Sequence, residues 1–265
     1  MASTSLSPRL FTLDGPIARQ VSHFGGLTML SRDILREIWR PPYEGRILLA
    51  QLDHQGFTSI SIATITALFT GMVLALQVGY SLSSYGAKVF LGEIVSLALI
   101  RELGPVLTCL MVGGRVGAGI TAEIGTMVVT EQVDAIRALA TDPIRKLVTP
   151  KVMAALIAFP MLTALADFVG VMGGMIIAYL QYNIGFSYYT THVLQAVHYR
   201  DMASGVGKTV FFGFFVTLIA CYNGLNASGG ADGVGKATTN TVVGASIAIL
   251  ISDFFLTKAF ILLGG

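Results

Sequence analysis

Five long apolar stretches, separated by shorter polar segments, dominate the chain. A bilayer hydrocarbon core of about 30 Å is crossed by roughly 20 apolar residues in a helix, and each stretch reaches that length. The predicted spans are residues 57–79, 94–118, 152–180, 205–226 and 241–263. The pattern therefore predicts an all-α integral membrane protein with about five transmembrane helices.

Composition supports this class. The chain has 265 residues, of which 54% are hydrophobic and only 12% are charged, whereas soluble domains carry about a quarter charged residues. The net charge of +2 gives no electrostatic reason to expect a nucleic-acid partner. We therefore exclude a soluble domain and a nucleic-acid-binding protein.

The distribution of Lys and Arg predicts the orientation, because these residues accumulate in cytoplasmic segments. Arginines cluster before the first span, and basic residues cluster again at positions 115–151. Between the other spans lie only Lys88, Arg200 and Lys236. The N-terminus and the loop at 119–151 are therefore predicted to face the cytoplasm, and the C-terminus to face outward.

The N-terminal segment, residues 1–56, is predicted to be distinct from the transmembrane domain at 57–265. Residues 17–40 show apolar positions at helical spacing, with Trp39 at one end. These apolar positions are Ile17, Val21, Phe24, Leu27, Ile34, Leu35 and Ile38. The pattern predicts an amphipathic helix in the membrane interface; an ordinary helix packed on the bundle is the alternative.

Besides Arg115 near the inner end of the second span, six charged residues lie inside the predicted spans. They are Arg101, Glu102, Asp167, Lys208, Asp253 and Lys258. At about 1.5 Å per residue, all six fall in the outer half of the membrane. Such charges must be paired or hydrated, so they form either an ion-pair network that joins helices or the lining of a cavity. Ser246, Asp253 and Thr257, which share a helix face, favour the cavity.

The loop between spans two and three contains a predicted short helix. Thr130 is a suitable N-cap, Glu131 and Asp134 suit the first turn, and Asp142-Pro143 would end the helix. Its apolar face consists of Val133, Ile136 and Leu139. Such a helix suits a groove on a soluble partner; an interfacial connector is the alternative.

Two segments come close to a nucleotide-binding loop. Residues 230–237 have Ala237 where the loop needs a Ser or Thr for magnesium, and an apolar helix precedes them in place of a strand. A second segment, ending in Gly207-Lys208-Thr209, has Met202 in place of the first glycine. We therefore predict no catalytic residues, no metal site and no bound cofactor on this chain.

Several motifs together resemble the MlaE family of permeases. The shared residues are Arg101-Glu102-Leu103-Gly104-Pro105, Ala122-Glu123-Ile124-Gly125, Glu131-Gln132, Asp142-Pro143 and Pro150. The resemblance runs from about residue 60 to the C-terminus, and Lys151 keeps the charge where the family often has arginine. These permeases are membrane subunits of lipid-transporting ABC systems.

The resemblance implies both a function and a set of partners. The chain would be a homodimeric permease in the bacterial inner membrane that moves phospholipid or a related lipid. A separate ABC ATPase, which holds ATP and magnesium, would bind beneath each permease. A hexameric MCE-domain protein would lie above, often with a STAS-domain regulator in the complex.

The resemblance also implies site residues. A coupling helix at 130–145, which would enter the ATPase, includes Glu131, Gln132, Ile136, Asp142 and Pro143. A lipid pocket between the permeases would be lined by Leu74, Gln77, Leu82, Tyr85, Arg101 and Glu102. The depth count independently points to Glu102, so both arguments select the same carboxylate.

Two other function classes are weighed against the permease. An ion-coupled secondary transporter would use Glu102 and Asp167, but it would also show inverted repeats with broken helices, which the sequence lacks. An intramembrane hydrolase would require a nucleophile, a base and an orienting group close together. His192 and His198, near Ser187 and Asp201, have no spacing that assembles such a triad.

Overall fold

The computed structural model describes residues 16–39 and 45–262, with side chains from residue 25 onward. These ranges form α-helices joined by short 3₁₀ and π segments and contain no β-strand, which confirms the all-α class. The helices are α1 (Pro16–Ile38), α2 (Gly45–Gln55), α3 (Ile60–Ser84), α4 (Leu91–Ala98), α5 (Gly104–Val129), α6 (Gln132–Ala138), α7 (Thr149–Tyr182), α8 (Phe186–Ala196), α9 (Tyr199–Leu225) and α10 (Gly230–Leu262).

Five helical segments of the described chain are long and apolar enough to span a membrane, as predicted. They cover residues 45–84, 88–129, 144–182, 199–225 and 230–262. Each begins before its predicted start, and the first three also end beyond their predicted ends, because hydropathy marks only the lipid-facing centre while the backbone stays helical into the polar flanks. Residues 230–237, which resemble a nucleotide-binding loop, are the first turns of α10.

The spans alternate in direction, so the bundle has two ends with different contents. We call the end that carries residues 130–143 the loop end. The opposite end, which carries α8, is called the α8 end. Helices α3, α7 and α10 run from the loop end to the α8 end, and α5 and α9 run back.

Small residues bring α3 and α7 into close contact. A methyl group on Gly71 would overlap the carbonyl oxygen of Gly170, and one on Gly173 would overlap the carbonyl of Leu68. Glycine allows such an approach because it has no Cβ. By contrast, only 11% of the most apolar 18-residue stretch of α10 is buried. A wide apolar surface of α10 is therefore exposed.

Replacing Gly71 with alanine is expected to destabilise the protein by about 1–3 kcal/mol, because α3 and α7 must separate to admit the methyl group. Thermal unfolding of the purified protein measures this loss. Gly235→Ala is the matched control, since no atom lies within 4 Å of the added Cβ and alanine favours a helix. Equal stability of the two variants would contradict close α3–α7 packing.

The predicted N-terminal helix is present as α1, and one of its faces is packed on the bundle. Leu30 and Ile34 are buried in the main core, while Trp39 is 82% exposed. The side chains of Ile17, Val21 and Phe24 lie outside the described residues. The packed face supports the alternative of a helix held by the bundle, and the interfacial location stays a prediction.

The predicted loop helix is shorter than expected and begins later. Thr130 does not cap it; its hydroxyl donates a 2.8 Å hydrogen bond back to the Thr126 carbonyl, at the end of α5. Glu131 adopts a left-handed conformation, with φ of 59°, and separates α5 from α6. The prediction of a Thr130 N-cap is therefore wrong, because α5 stays helical up to Val129.

The predicted end of this helix is also wrong. Helix α6 ends at Ala138, and Ala140 adopts a left-handed conformation with φ of 55°. Asp142 instead starts the next segment, since its side chain accepts a 2.9 Å hydrogen bond from the backbone N–H of Ile144. Neither left-handed residue is a glycine, so the usual signal of a helix boundary is missing from the sequence.

Candidate functional site

A π-helical turn interrupts the second span and carries two of its charged residues. Residues Leu99–Leu103 form the π turn between α4 and α5, with Arg101 and Glu102 inside it. One glycine packs the turn closely: a methyl group on Gly205 would overlap the Ile100 carbonyl. Such turns are rare and often lie at functional sites.

Lys208 connects this turn to two other helices. Its side chain is 2% exposed, and its Nζ donates hydrogen bonds to Glu102 Oε2 (2.8 Å), Thr257 Oγ1 (2.7 Å) and the Arg101 carbonyl (3.1 Å). Asp253 Oδ1 lies 3.3 Å from the same nitrogen as an ion-pair partner. The three ammonium hydrogens are thus all used. Lys208 therefore links the π turn, α9 and α10.

Arg101 turns away from Lys208 and pairs with the start of α9. Its Nε and Nη2 lie 2.7 Å and 2.6 Å from Asp201 Oδ1. Asp201 Oδ2 accepts a 2.8 Å hydrogen bond from the backbone N–H of His198, and together these residues form a capping box. The guanidinium stays half-exposed while Asp201 is buried, so Arg101 remains available to a ligand.

These residues line a cavity of about 480 Å³ near the α8 end. One part of its wall is charged and another part is apolar. The lining consists of Arg101, Glu102, Tyr199, Arg200, Asp201, Ala203, Ser204, Lys208, Thr257, Phe260 and Ile261. Pockets with a few charged groups and an apolar wall suit ligands that have both characters. We call this space the charged cavity.

The structure brings together only part of the predicted charged network. Arg101, Glu102, Lys208 and Asp253 meet through the contacts above. Lys258 is exposed and forms no ion pair with the described residues. Asp167 lies in a separate small cavity between α3, α5 and α7.

Asp201 belongs to the cluster, although the sequence argument assigned it to a loop. The depth count considered only charges inside the predicted spans, and α9 begins six residues before its predicted start, at Tyr199. The local signal was the spacing of His198 and Asp201, which fits reciprocal capping at a helix start.

Four other predicted pocket residues lie on α3 or directly after it and do not line the charged cavity of the single chain. Leu74 and Leu82 pack against a second hydrophobic cluster, which includes Tyr189. Gln77 is exposed, and Tyr85 is 85% exposed. Their role in lipid binding stays a prediction.

Comparison with known proteins decides the family. A family model described as "Permease MlaE" matches residues 48–259. The chain belongs to the MlaE permease family. This match covers all five spans almost completely and includes the π turn, α6 and every residue of the charged cavity except Phe260 and Ile261.

Similar proteins occur in bacteria and in a plant. A probable ABC transporter permease protein of Rickettsia bellii is 44% identical over 242 residues, covering 91% of this chain and 93% of the relative. The intermembrane phospholipid transport system permease protein MlaE of Haemophilus influenzae is 38% identical over 212 residues, which cover 80% of this chain and 81% of the relative. The chloroplastic protein TRIGALACTOSYLDIACYLGLYCEROL 1 of Arabidopsis thaliana is 34% identical over 232 residues, which cover 88% of this chain and 66% of the relative.

A second polar cluster of this MlaE-family permease lies toward the loop end. Lys151 is 2% exposed and donates a 2.6 Å hydrogen bond to Glu123 Oε2 at the end of α5. Its Nζ also lies 3.4 Å from Gln51 Oε1, and its carbonyl accepts a 3.1 Å hydrogen bond from Gln55. The cluster therefore joins α2, α5 and α7 beside the loop that carries α6.

Helix α6 of this permease is anchored by one face and exposed on the other. Val133 is 2% exposed, and Ile136 is half-buried. Leu139, directly after the helix, is 77% exposed. Exposed leucine next to an anchored helix provides an apolar contact for another protein. This surface, Ile136 with Leu139, lies at the loop end.

The ion-coupled alternative finds no support. Glu102 is held by Lys208 and Thr257, whereas Asp167 lies in a different cavity, between α3, α5, α7 and the far side of the π turn. The relatives are named permeases of ABC transporters or of a phospholipid transport system. Among the described residues, Glu102 and Asp167 therefore line two different cavities.

Proposed function

We propose that this chain is the membrane subunit of an ABC transporter that moves phospholipid or a related lipid. The charged cavity is the observation that carries this proposal. It combines the exposed guanidinium of Arg101 and the carboxylate of Glu102 with the apolar side chains of Phe260 and Ile261. A lipid has the same two parts, because its headgroup is polar and its acyl chains are apolar.

The charged side chains suit release as well as binding. Arg101 and Lys208 are already paired with carboxylates, so a lipid phosphate competes with internal partners. Only ligand contacts that exceed this internal pairing contribute to affinity. We infer that a small shift of α9 or α10 changes the pairing and thereby the affinity for lipid.

The energy source is proposed to be a separate ATPase subunit, which holds ATP and magnesium. The surface at Ile136 and Leu139 would enter a groove on that subunit. The hydrogen bonds of Lys151 to Glu123 and Gln51 join α2, α5 and α7 near that end of the bundle, and α6 itself contacts α5. Movement of the ATPase would then reach α5, whose other end adjoins Glu102.

The proposed assembly contains two copies of this chain. The exposed face of α10 carries Val243, Ile247, Leu250 and Phe254 at helical spacing, a surface suited to a second copy. Further proposed partners are a hexameric MCE-domain protein at the α8 end and a STAS-domain regulator. The complex would lie in a bacterial inner membrane, with the N-terminus and the loop end in the cytoplasm.

Reconstitution tests the function. The chain and its partner subunits are placed in vesicles that contain a labelled phospholipid, and transfer to an acceptor is measured with and without ATP. Lipid transfer that requires both ATP and this chain is the expected result. Transfer by this chain alone, or nucleotide hydrolysis by the isolated chain, would contradict the proposal.

Cysteine labelling tests the orientation. Thr141→Cys at the loop end and Ser187→Cys on α8 are expected to react with a membrane-impermeant maleimide from opposite sides. Both positions are exposed, while the native Cys109 and Cys221 are buried free thiols, so the background is low. Thr141→Cys should react only after the cytoplasmic side is opened. Labelling of both from one side would overturn the topology.

A further inference from the structure

Asp167 is buried in the middle of α7 and has no hydrogen-bond or ion-pair partner among the described residues. Its side chain is 6% exposed, and Oδ1 accepts no hydrogen bond from any described residue. No lysine or arginine of the described chain forms an ion pair with it. A bare carboxylate inside a membrane protein is costly unless a partner compensates its charge.

The carboxylate points into a small cavity whose walls carry further oxygen atoms. The cavity measures about 10 Å³, close to the room that one water-sized sphere occupies. Three threonines belong to its wall, Thr66 and Thr70 from α3 and Thr108 from α5. Asp167 itself comes from α7, so three helices meet at this point.

The hydroxyl groups of these threonines are uncommitted, unlike those of their neighbours. Thr64, one turn away on α3, donates to the carbonyl of Ile60 at 2.8 Å. Thr217 on α9 likewise donates to a backbone carbonyl of its own helix. Among the described residues, Thr66, Thr70 and Thr108 form no such hydrogen bond. Their oxygen atoms are therefore available to a ligand in the cavity.

We propose that Asp167, Thr66, Thr70 and Thr108 form a binding site for one monovalent cation of the size of Na⁺. A carboxylate with hydroxyl groups is a set of hard oxygen ligands, which hard cations prefer. A single carboxylate balances a single positive charge, whereas Ca²⁺ needs six to eight oxygen ligands. A water molecule would fit the volume but would leave the charge uncompensated.

The site lies directly against the π turn, which suggests what the cation does. The Asp167 carboxyl packs on the Cα of Gly104, so closely that any Cβ there would overlap it. Gly104 ends the π turn that carries Arg101 and Glu102. A cation on Asp167 therefore stabilises the contact of α3 and α7 with this turn.

Thermal unfolding of the full-length purified protein at constant pH tests the site. The probes are NaCl, KCl and N-methylglucamine chloride at equal ionic strength. A ligand that binds only the folded state raises the Tm in proportion to the logarithm of its concentration. We expect NaCl to raise the Tm by about 2–4 °C above N-methylglucamine chloride. Equal Tm values in all three salts would overturn the proposal.

Matched variants locate the effect. Asp167→Asn keeps the size of the side chain and removes its charge, so the Na⁺-dependent shift should disappear. Thr70→Val should require several-fold more NaCl for the same shift. Thr64→Val is the control, since that hydroxyl already serves its own helix, and its response should equal that of the wild type.

A different result would identify a proton as the partner of Asp167. If Asp167→Asn is as stable as the wild type and neither protein responds to the choice of cation, a neutral side chain suffices at this position and the cation site is refuted. A Na⁺ response that persists in Asp167→Asn would likewise refute it. Because the measurement involves no lipid and no ATPase, its outcome is independent of the proposed transport function.

Discussion

Replacing Lys208 with methionine is expected to reduce ATP-dependent lipid transport by more than tenfold and to destabilise the protein. Methionine fills a similar volume but leaves Glu102 and Asp253 without the cation between them. Breaking a buried ion pair costs about 3–5 kcal/mol. The Glu102 side chain is 42% exposed, so water compensates part of this cost. We therefore expect the free energy of unfolding to fall by about 1–3 kcal/mol.

A triple variant separates the effect on stability from the effect on transport. Glu102→Gln and Asp253→Asn, added to Lys208→Met, remove the two unpaired carboxylates. Thermal stability should then recover, while transport should stay low because the charged cavity has lost its central groups. Transport that recovers together with stability would mean that these charges only hold helices together.

A control for the loss of positive charge is available at the same end of the bundle. Lys88 is exposed near the start of the second span and forms no ion pair with the described residues. Lys88→Met should leave both stability and transport within about twofold of the wild type. A loss of transport in Lys88→Met as large as that in Lys208→Met would point to a general electrostatic effect and contradict a local site.

Replacing Leu139 with aspartate is expected to release the ATPase subunit. Leu139 is 77% exposed, so the substitution does not disturb the core, but it places a charge in the proposed contact. Loss of a central apolar contact in an interface costs about 2 kcal/mol or more, which corresponds to roughly a thirtyfold weaker affinity. Co-purification of the two subunits measures this change.

The control for this prediction lies on α6, directly before Leu139. Asp134 is exposed and, among the described residues, forms an ion pair only with Arg137, at 2.9 Å, so Asp134→Ala should leave the complex intact. The Ile136→Asp variant should weaken the complex as well, since Ile136 belongs to the same surface. If the Leu139→Asp and Ile136→Asp variants both co-purify fully with the ATPase, α6 and Leu139 do not form the ATPase contact.

The sequence alone determined the parts of this protein that depend on local composition. A run of about 20 apolar residues is a local property, and all five spans were predicted for that reason. The motif around Glu102 also identified the family before any contact was known. The bounds of α6 were not predictable, because Glu131 and Ala140 adopt left-handed conformations that usually favour glycine, and neither residue is a glycine.

Only the tertiary structure decided which charges meet. The depth of a residue along its span does not say which side of the helix the residue lies on. Six charges at similar depth can therefore pair in many different ways. The rotation of each helix about its axis selected Asp201 for Arg101 and the pair of Glu102 and Asp253 for Lys208. The same rotations left Asp167 apart, against Gly104. Helix rotation is set by side-chain packing between distant segments, so the hydropathy of one segment does not predict it.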